Sequence, residues 1–148
     1  MEMRGRKGRI WIRWLEVVIV LVMAYSLVLV LAGGLALRLF DFLGFGPDAA
    51  TTSDAFRDYL RLPFAVLGAV MFGWMVLLFA VVRGPMRLGE PWAWRAVALS
   101  LSAWFALDTG MSLVLRFPAH ALFNVGFAVA LAIPIIGLRR SRQPEEQV

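Results

Sequence analysis

Four polar side chains in an otherwise apolar stretch are spaced so that they could act together: Asp108, Ser112, His120 and Asn124. Asp108 and Ser112 are four residues apart, as are His120 and Asn124, so each pair shares a face wherever the chain is helical. A carboxylate, a hydroxyl, an imidazole and a carboxamide brought together could bind a polar head group, handle a proton, or pin two helices by hydrogen bonds. Covalent catalysis by serine is not expected. Ser100, Ser102 and Ser112 lack the turn context and the base–orienter chain that activation needs. His120 is the sole histidine and there is no cysteine. A two-histidine haem site, a His-rich metal centre, disulfides and thiolate-ligated metals are therefore excluded on ligand count. A single axial ligation by His120 stays open, although a lone histidine at a helix start is first an interfacial hydrogen-bonding residue. The sequence contains no phosphate loop, dinucleotide fingerprint or zinc motif, and neither a metal nor a cofactor is expected.

The elements that must position these residues are written in hydropathy. Of 148 residues 61% are hydrophobic and the mean hydropathy is +0.76, against roughly 45–50% apolar content in soluble domains. A water-soluble fold has nowhere to hide that much apolar surface. About 20 apolar residues suffice to cross the hydrocarbon as a helix, and four stretches qualify: residues 15–40, 63–82, 92–115 and 119–138. The expected fold is all-α, a four-helix up-down bundle in a membrane. One transmembrane domain, residues 15–138, follows a basic segment, residues 1–14, and precedes a tail, residues 139–148. The tail beyond Arg142 is expected to lack structure. The first stretch is too long for a cleaved signal peptide, whose apolar run is roughly 7–15 residues. It reads as a retained helix bent near Gly33 and Gly34.

Charge orients the bundle. The formal net charge is +5 and the pI about 11.0, but the basic residues flank apolar stretches and do not form a nucleic-acid-binding stripe. Arg4, Arg6, Lys7, Arg9, Arg13, Arg83, Arg87, Arg95, Arg139, Arg140 and Arg142 fall on one side, against Arg38, Arg57, Arg61 and Arg116 on the other. The richer side is expected to be cytoplasmic, with both termini there. Trp11, Trp14, Trp92 and Trp94 sit at that interface, while Trp74 and Trp104 lie mid-span as packing residues. The first basic cluster also suits anionic lipid.

Between the first two stretches, Gly44, Gly46 and Pro47 signal a turn. Thr51, Thr52 or Ser53 can then cap a short surface helix that bends into the second span at Pro63. Pro134 is expected to kink the last helix. The brief connection from Arg116 to Pro118 makes the last two spans an antiparallel hairpin, setting Asp108 level with Asn124 and Ser112 level with His120. Three readings of that cluster stay open. Asp108 accepts hydrogen bonds from Asn124, Thr109 or Ser112, or pairs with Arg116 or Arg38, and so pins the hairpin. Alternatively the four residues form an outward-facing polar pocket with Arg116, Asp58, Tyr59 and Arg61 at its rim. The third reading is proton handling by Asp108 with His120. Small residues at intervals of four mark candidate helix-packing seams: Ala65, Ala69 and Gly73; Ser102, Ala106 and Gly110; Gly126 and Ala130.

Residues 57–74, 104–113 and 121–135 resemble blocks of small bacterial four-helix inner-membrane protein families of unassigned function. The likeness covers residues 15–138. It implies a bacterial inner-membrane location and imports no catalytic residue or substrate. The leading expectation is a non-enzymatic accessory or scaffolding bundle that self-associates or joins a larger membrane complex, with membrane lipids as its surroundings and no nucleic-acid partner. The alternative is a carrier or binding protein for a lipid or small amphipathic molecule held near Asp108 in the outer leaflet. An ion or proton pathway is the third.

Overall fold

The computed structural model describes residues 6–44 and 53–140, with side chains for residues 8–44 and 53–139. All regular structure among the described residues is helical: α1 (Arg6–Leu31), α2 (Gly33–Phe42), α3 (Asp54–Val81), α4 (Pro91–Val114) and α5 (Pro118–Arg140), with a π-helical turn, Val82–Met86, continuing α3. Four segments are long and apolar enough to cross a membrane: Gly8–Leu31, Asp54–Met86, Pro91–Val114 and Pro118–Arg139.

The first expected span, residues 15–40, is two helices. α1 starts earlier, within the basic segment, and ends at Leu31 because Ala32 leaves helical geometry at φ −131° and ψ 50°. Two glycines follow, and glycine contributes least of the non-proline residues to continuing a helix. The bend expected at the glycine pair is thus a break one residue before it. With 26 residues, α1 is about 39 Å long, already more than the ~30 Å of a hydrocarbon core.

The expected surface helix and second span are, in contrast, one helix. Ser53 caps α3 by accepting from the Phe56 N–H at 3.3 Å, and Asp54 in the first turn suits the positive end of the helix dipole. Pro63 does not end the helix. It removes one intrahelical donor, but contacts to α2 hold α3 on both sides of it. Arg57 donates to Asp41 at 2.7 Å, and Phe40 meets Phe64 edge-on with ring centroids 4.8 Å apart. Gly44 turns with φ +69°. Gly46, Pro47, Thr51 and Thr52 lie outside the described residues, as does the tail beyond Arg140. α5 likewise runs through Pro134 without interruption.

The core is built on matched spacings of three and four. On α1 the buried side chains are Ile12, Leu15, Ile19, Val22, Ser26 and Leu29. Facing them from α3 and the π turn are Gly68, Met71, Met75, Leu78 and Val82. This alternation keeps one seam of each helix against the other along its length. The two helices come close at Gly68, where a Cβ would lie 2.6 Å from the Ser26 carbonyl oxygen and 2.8 Å from the Leu29 Cβ. The fully buried Ser26 hydroxyl donates to the Val22 carbonyl at 2.7 Å, so it fits there without an unmet hydrogen bond. α5 closes the opposite side with Leu131 and Leu138. Its Gly137 lies under the Trp11 ring, 2.5 Å from where a Cβ would stand. α4 joins through Ala93 and Val97 and a 2.9 Å bond from Trp74 Nε1 to Ser100 Oγ.

The small residues expected as seams differ in exposure. Ala65 and Ala130 are half-buried, whereas Ala69, Gly73, Ser102, Ala106, Gly110 and Gly126 are exposed on the single chain. A Cβ at Gly73, Gly110 or Gly126 would meet nothing within 4 Å. The faces that pack within the chain are set by the long apolar knobs of α1, which select Gly68 and Gly137 as their partners.

Candidate functional site

A specific backbone motif makes the α4–α5 hairpin. Arg116 adopts φ +65°, the left-handed region usually reserved for glycine. The Phe117 N–H reaches the Ser112 carbonyl at 2.7 Å and the Arg116 N–H the Leu113 carbonyl at 3.1 Å, the paired bonds that close a helix end in a Schellman turn. Pro118 then opens α5, where its missing N–H and fixed φ cost nothing. A non-glycine residue in the left-handed region costs about 1–2 kcal/mol. Reversal within three residues returns α5 along α4 and brings His120 back to Ser112.

Ser112 is buried, and its Oγ lies 2.6 Å from the Asp108 main-chain oxygen and 2.8 Å from His120 Nδ1. A carbonyl oxygen can only accept, so the single hydroxyl hydrogen goes to Asp108. His120 Nδ1 must then carry the hydrogen that makes the second bond. The Asp108 carboxylate stands 3.8 Å from the same nitrogen, so it favours that tautomer. This is not a nucleophile triad. A triad sets the acid and the serine on opposite imidazole nitrogens with the histidine accepting from the hydroxyl, whereas here both oxygens face Nδ1 and the hydroxyl is already committed to the backbone.

Asn124, one turn beyond His120, is 1% exposed, and its Nδ2 has no hydrogen-bond partner among the described residues. Thr109 Oγ1, next to Asp108 on α4, is in the same condition. An orphaned buried amide costs about 1–3 kcal/mol and calls for an explanation such as water or a polar ligand. Among the described residues, neither Arg116 nor Arg38 makes an ion pair with Asp108.

Of the expected rim residues Arg116 makes the α4–α5 turn itself, and the other three belong to the first turns of α3. Asp58 and Arg61 pair with each other at 3.2 Å on the exposed face of α3, Tyr59 stacks on Phe56 with centroids 6.5 Å apart, and the Arg61 stem packs beside Gly33 at the start of α2. Asp108, Ser112 and His120 meet each other at the α4–α5 turn. The mid-span tryptophans pack together. Trp74 and Trp104 are 6.3 Å apart, and Trp104 meets Phe127 edge-on at 5.5 Å.

Sequence reasoning missed a polar cavity at the other end of the molecule. Arg9, Ile12, Arg13 and Glu16 of α1 line it together with Arg83 and Arg87, around a volume of about 190 Å³. Its signal was present in the spacing: residues 9, 13 and 16 share one helical face, as do 83 and 87. Compared with protein-family models, with curated proteins and with solved structures, the chain matches none.

Proposed function

We propose that this chain is a multi-pass protein of a bacterial inner membrane, crossing the bilayer four times in up-down order with both ends cytoplasmic. It acts there as a non-enzymatic scaffold that self-associates or joins a larger membrane complex. Residues 15–138 form its membrane domain, between the basic segment 1–14 and the tail 139–148. The observation that carries the scaffold reading is the outer face of α4, where Ser102, Ala106 and Gly110 recur every four residues and are all exposed. In lipid, helices associate where small residues let backbones come close. Beside that stripe runs an apolar groove of about 230 Å³ between α4 and α5, lined in part by Ala98, Ser102, Trp104, Ala128 and Ala132. Arginine placement and the flanking tryptophans support the orientation.

Mass measurement in mild detergent, with crosslinking in the native membrane, tests this reading. The wild type is expected as an oligomer or with a bound partner, and Ser102→Leu with Gly110→Leu as a monomer. A wild-type monomer with no crosslinked partner contradicts it.

A second reading is favoured by the orphaned Asn124 amide beside the Asp108–Ser112–His120 cluster. It is a binding protein for a lipid or small amphipathic molecule whose polar group meets those side chains in the outer leaflet. Native mass spectrometry of the wild type and of Asp108→Ala separates the readings. Retention by the wild type alone supports the binding protein, and no ligand in either sample removes it.

A further inference from the structure

We infer that the cavity between the start of α1 and the π turn is a binding site for a phosphate group, carried by an anionic phospholipid. The site goes beyond the scaffold reading and rests only on that reading's membrane placement.

The wall from α1 presents Arg9, Arg13 and Glu16 on one face, and the opposite wall presents Arg83 and Arg87, around about 190 Å³. Buried Ile12 helps line the cavity. The π turn is what sets the second wall. Pro85 has no N–H to give, so the helical ladder cannot continue normally. Just beyond it the chain turns at Gly89 (φ +95°), where the Glu90 N–H reaches the Pro85 carbonyl at 3.0 Å and the Gly89 N–H the Met86 carbonyl at 3.4 Å, closing the helix end before α4. Met86 within the π turn is fully buried, which anchors the π turn to the core while the arginines on either side face the cavity. Such π turns recur at functional positions.

Charge then defines the ligand. Glu16 holds Arg83 at 3.2 Å, and Arg83 also lies over the Phe79 ring at 5.0 Å, so this guanidinium is positioned from two sides. Arg9, Arg13 and Arg87 have no ion pair among the described residues. Among the described residues, these are three guanidiniums around one space without an ion pair, and they repel each other until an anion enters. A phosphate matches their forked donors, and an acidic peptide would need more room than this cavity gives. Trp11 and Trp14 belong to the same turns of α1 as Arg9 and Arg13 and are 6.0 Å apart. Tryptophan marks head-group depth, which puts the cavity level with lipid phosphates and favours lipid over free phosphate as the source.

The full-length protein reconstituted into phosphatidylglycerol, phosphatidylcholine or mixed vesicles, followed by native mass spectrometry of retained lipid, tests the site. The wild type is expected to retain phosphatidylglycerol over phosphatidylcholine. Arg83→Gln with Arg87→Gln should lower that retention at least roughly tenfold, while Arg95→Gln, at the same end but outside the cavity, changes it less than about twofold. Glu16→Gln removes the one negative charge and should raise retention about fivefold, a gain that misfolding cannot imitate. Displacement of the lipid by millimolar orthophosphate upholds the phosphate site and assigns it to the free ion. Equal retention of both lipids with no effect of orthophosphate, or equal losses in Arg95→Gln and the double variant, overturns the site. Failure to enter any vesicle overturns the membrane reading as well.

Discussion

The α1–α3 seam and the outer face of α4 are made of similar residues and do opposite things. On the seam, Gly68 is so close to Ser26 and Leu29 that no Cβ fits. On α4, Gly110 faces open space. Only 11% of the most apolar stretch of α4 is buried, against 22% for α1 and for α3 and 28% for α5. A glycine's presence in an apolar helix therefore says little by itself. What decides is whether a long side chain or a backbone carbonyl from another helix reaches it. The seam spends its small residue on holding the chain together, and α4 keeps its own facing outward.

Substitution at these two glycines breaks the comparison if it is wrong. Gly68→Val should destabilise the folded chain by about 3 kcal/mol, because its nearest obstruction is backbone and cannot swing away. Thermal unfolding in detergent would read this as a large fall in Tm. Gly110→Val should shift monomer stability by less than about 1 kcal/mol. Equal losses at both positions would show that α4 is as tightly held as α1.

Smaller effects are expected at the hairpin that joins the loosely held α4 to α5. Ser112→Ala removes the hydroxyl that bonds both Asp108 and His120. The cost should be about 1–2 kcal/mol in urea or thermal unfolding. An unchanged stability would mean that water replaces the hydroxyl there. Arg116→Gly should act in the opposite direction, stabilising by about 1 kcal/mol, since glycine accepts φ +65° without strain. Loss of stability in that variant would assign Arg116 a contact that outweighs its backbone strain.

These contrasts also explain what could be read in advance. Proline, glycine and capping hydroxyls are local signals, so the approximate limits of α4 and α5 followed from the residues themselves, and Ser53 was one of three candidate caps with Thr51 and Thr52. The Ser112–His120 contact came from the same source, because a three-residue reversal fixes which positions are level. Packing faces were harder. When nearly every residue of a helix is apolar, the three-and-four spacing of Ile12, Leu15, Ile19, Val22 and Leu29 does not stand out from its neighbours. Gly68 was accordingly not singled out beside Ala65, Ala69 and Gly73. The contact of Arg61 with Gly33 depended on α2, a helix that sequence pattern joined to α1. The breaking residue, Ala32, is itself a good helix former. Each wall of the cavity around Glu16 and Arg83 has its own local spacing, but no local pattern says that two segments 67 residues apart come together.

The central claim, that four helices thread the bilayer and leave both ends inside the cell, has a direct test that the absence of cysteine makes clean. Single cysteines introduced as Glu2→Cys, Asp48→Cys and Gln143→Cys would be probed in intact cells with a membrane-impermeant maleimide. Labelling of position 48 alone, with positions 2 and 143 reacting only after lysis, is the expected result. Labelling of positions 2 and 143 on opposite faces, or a chain that leaves the membrane in carbonate, would contradict it.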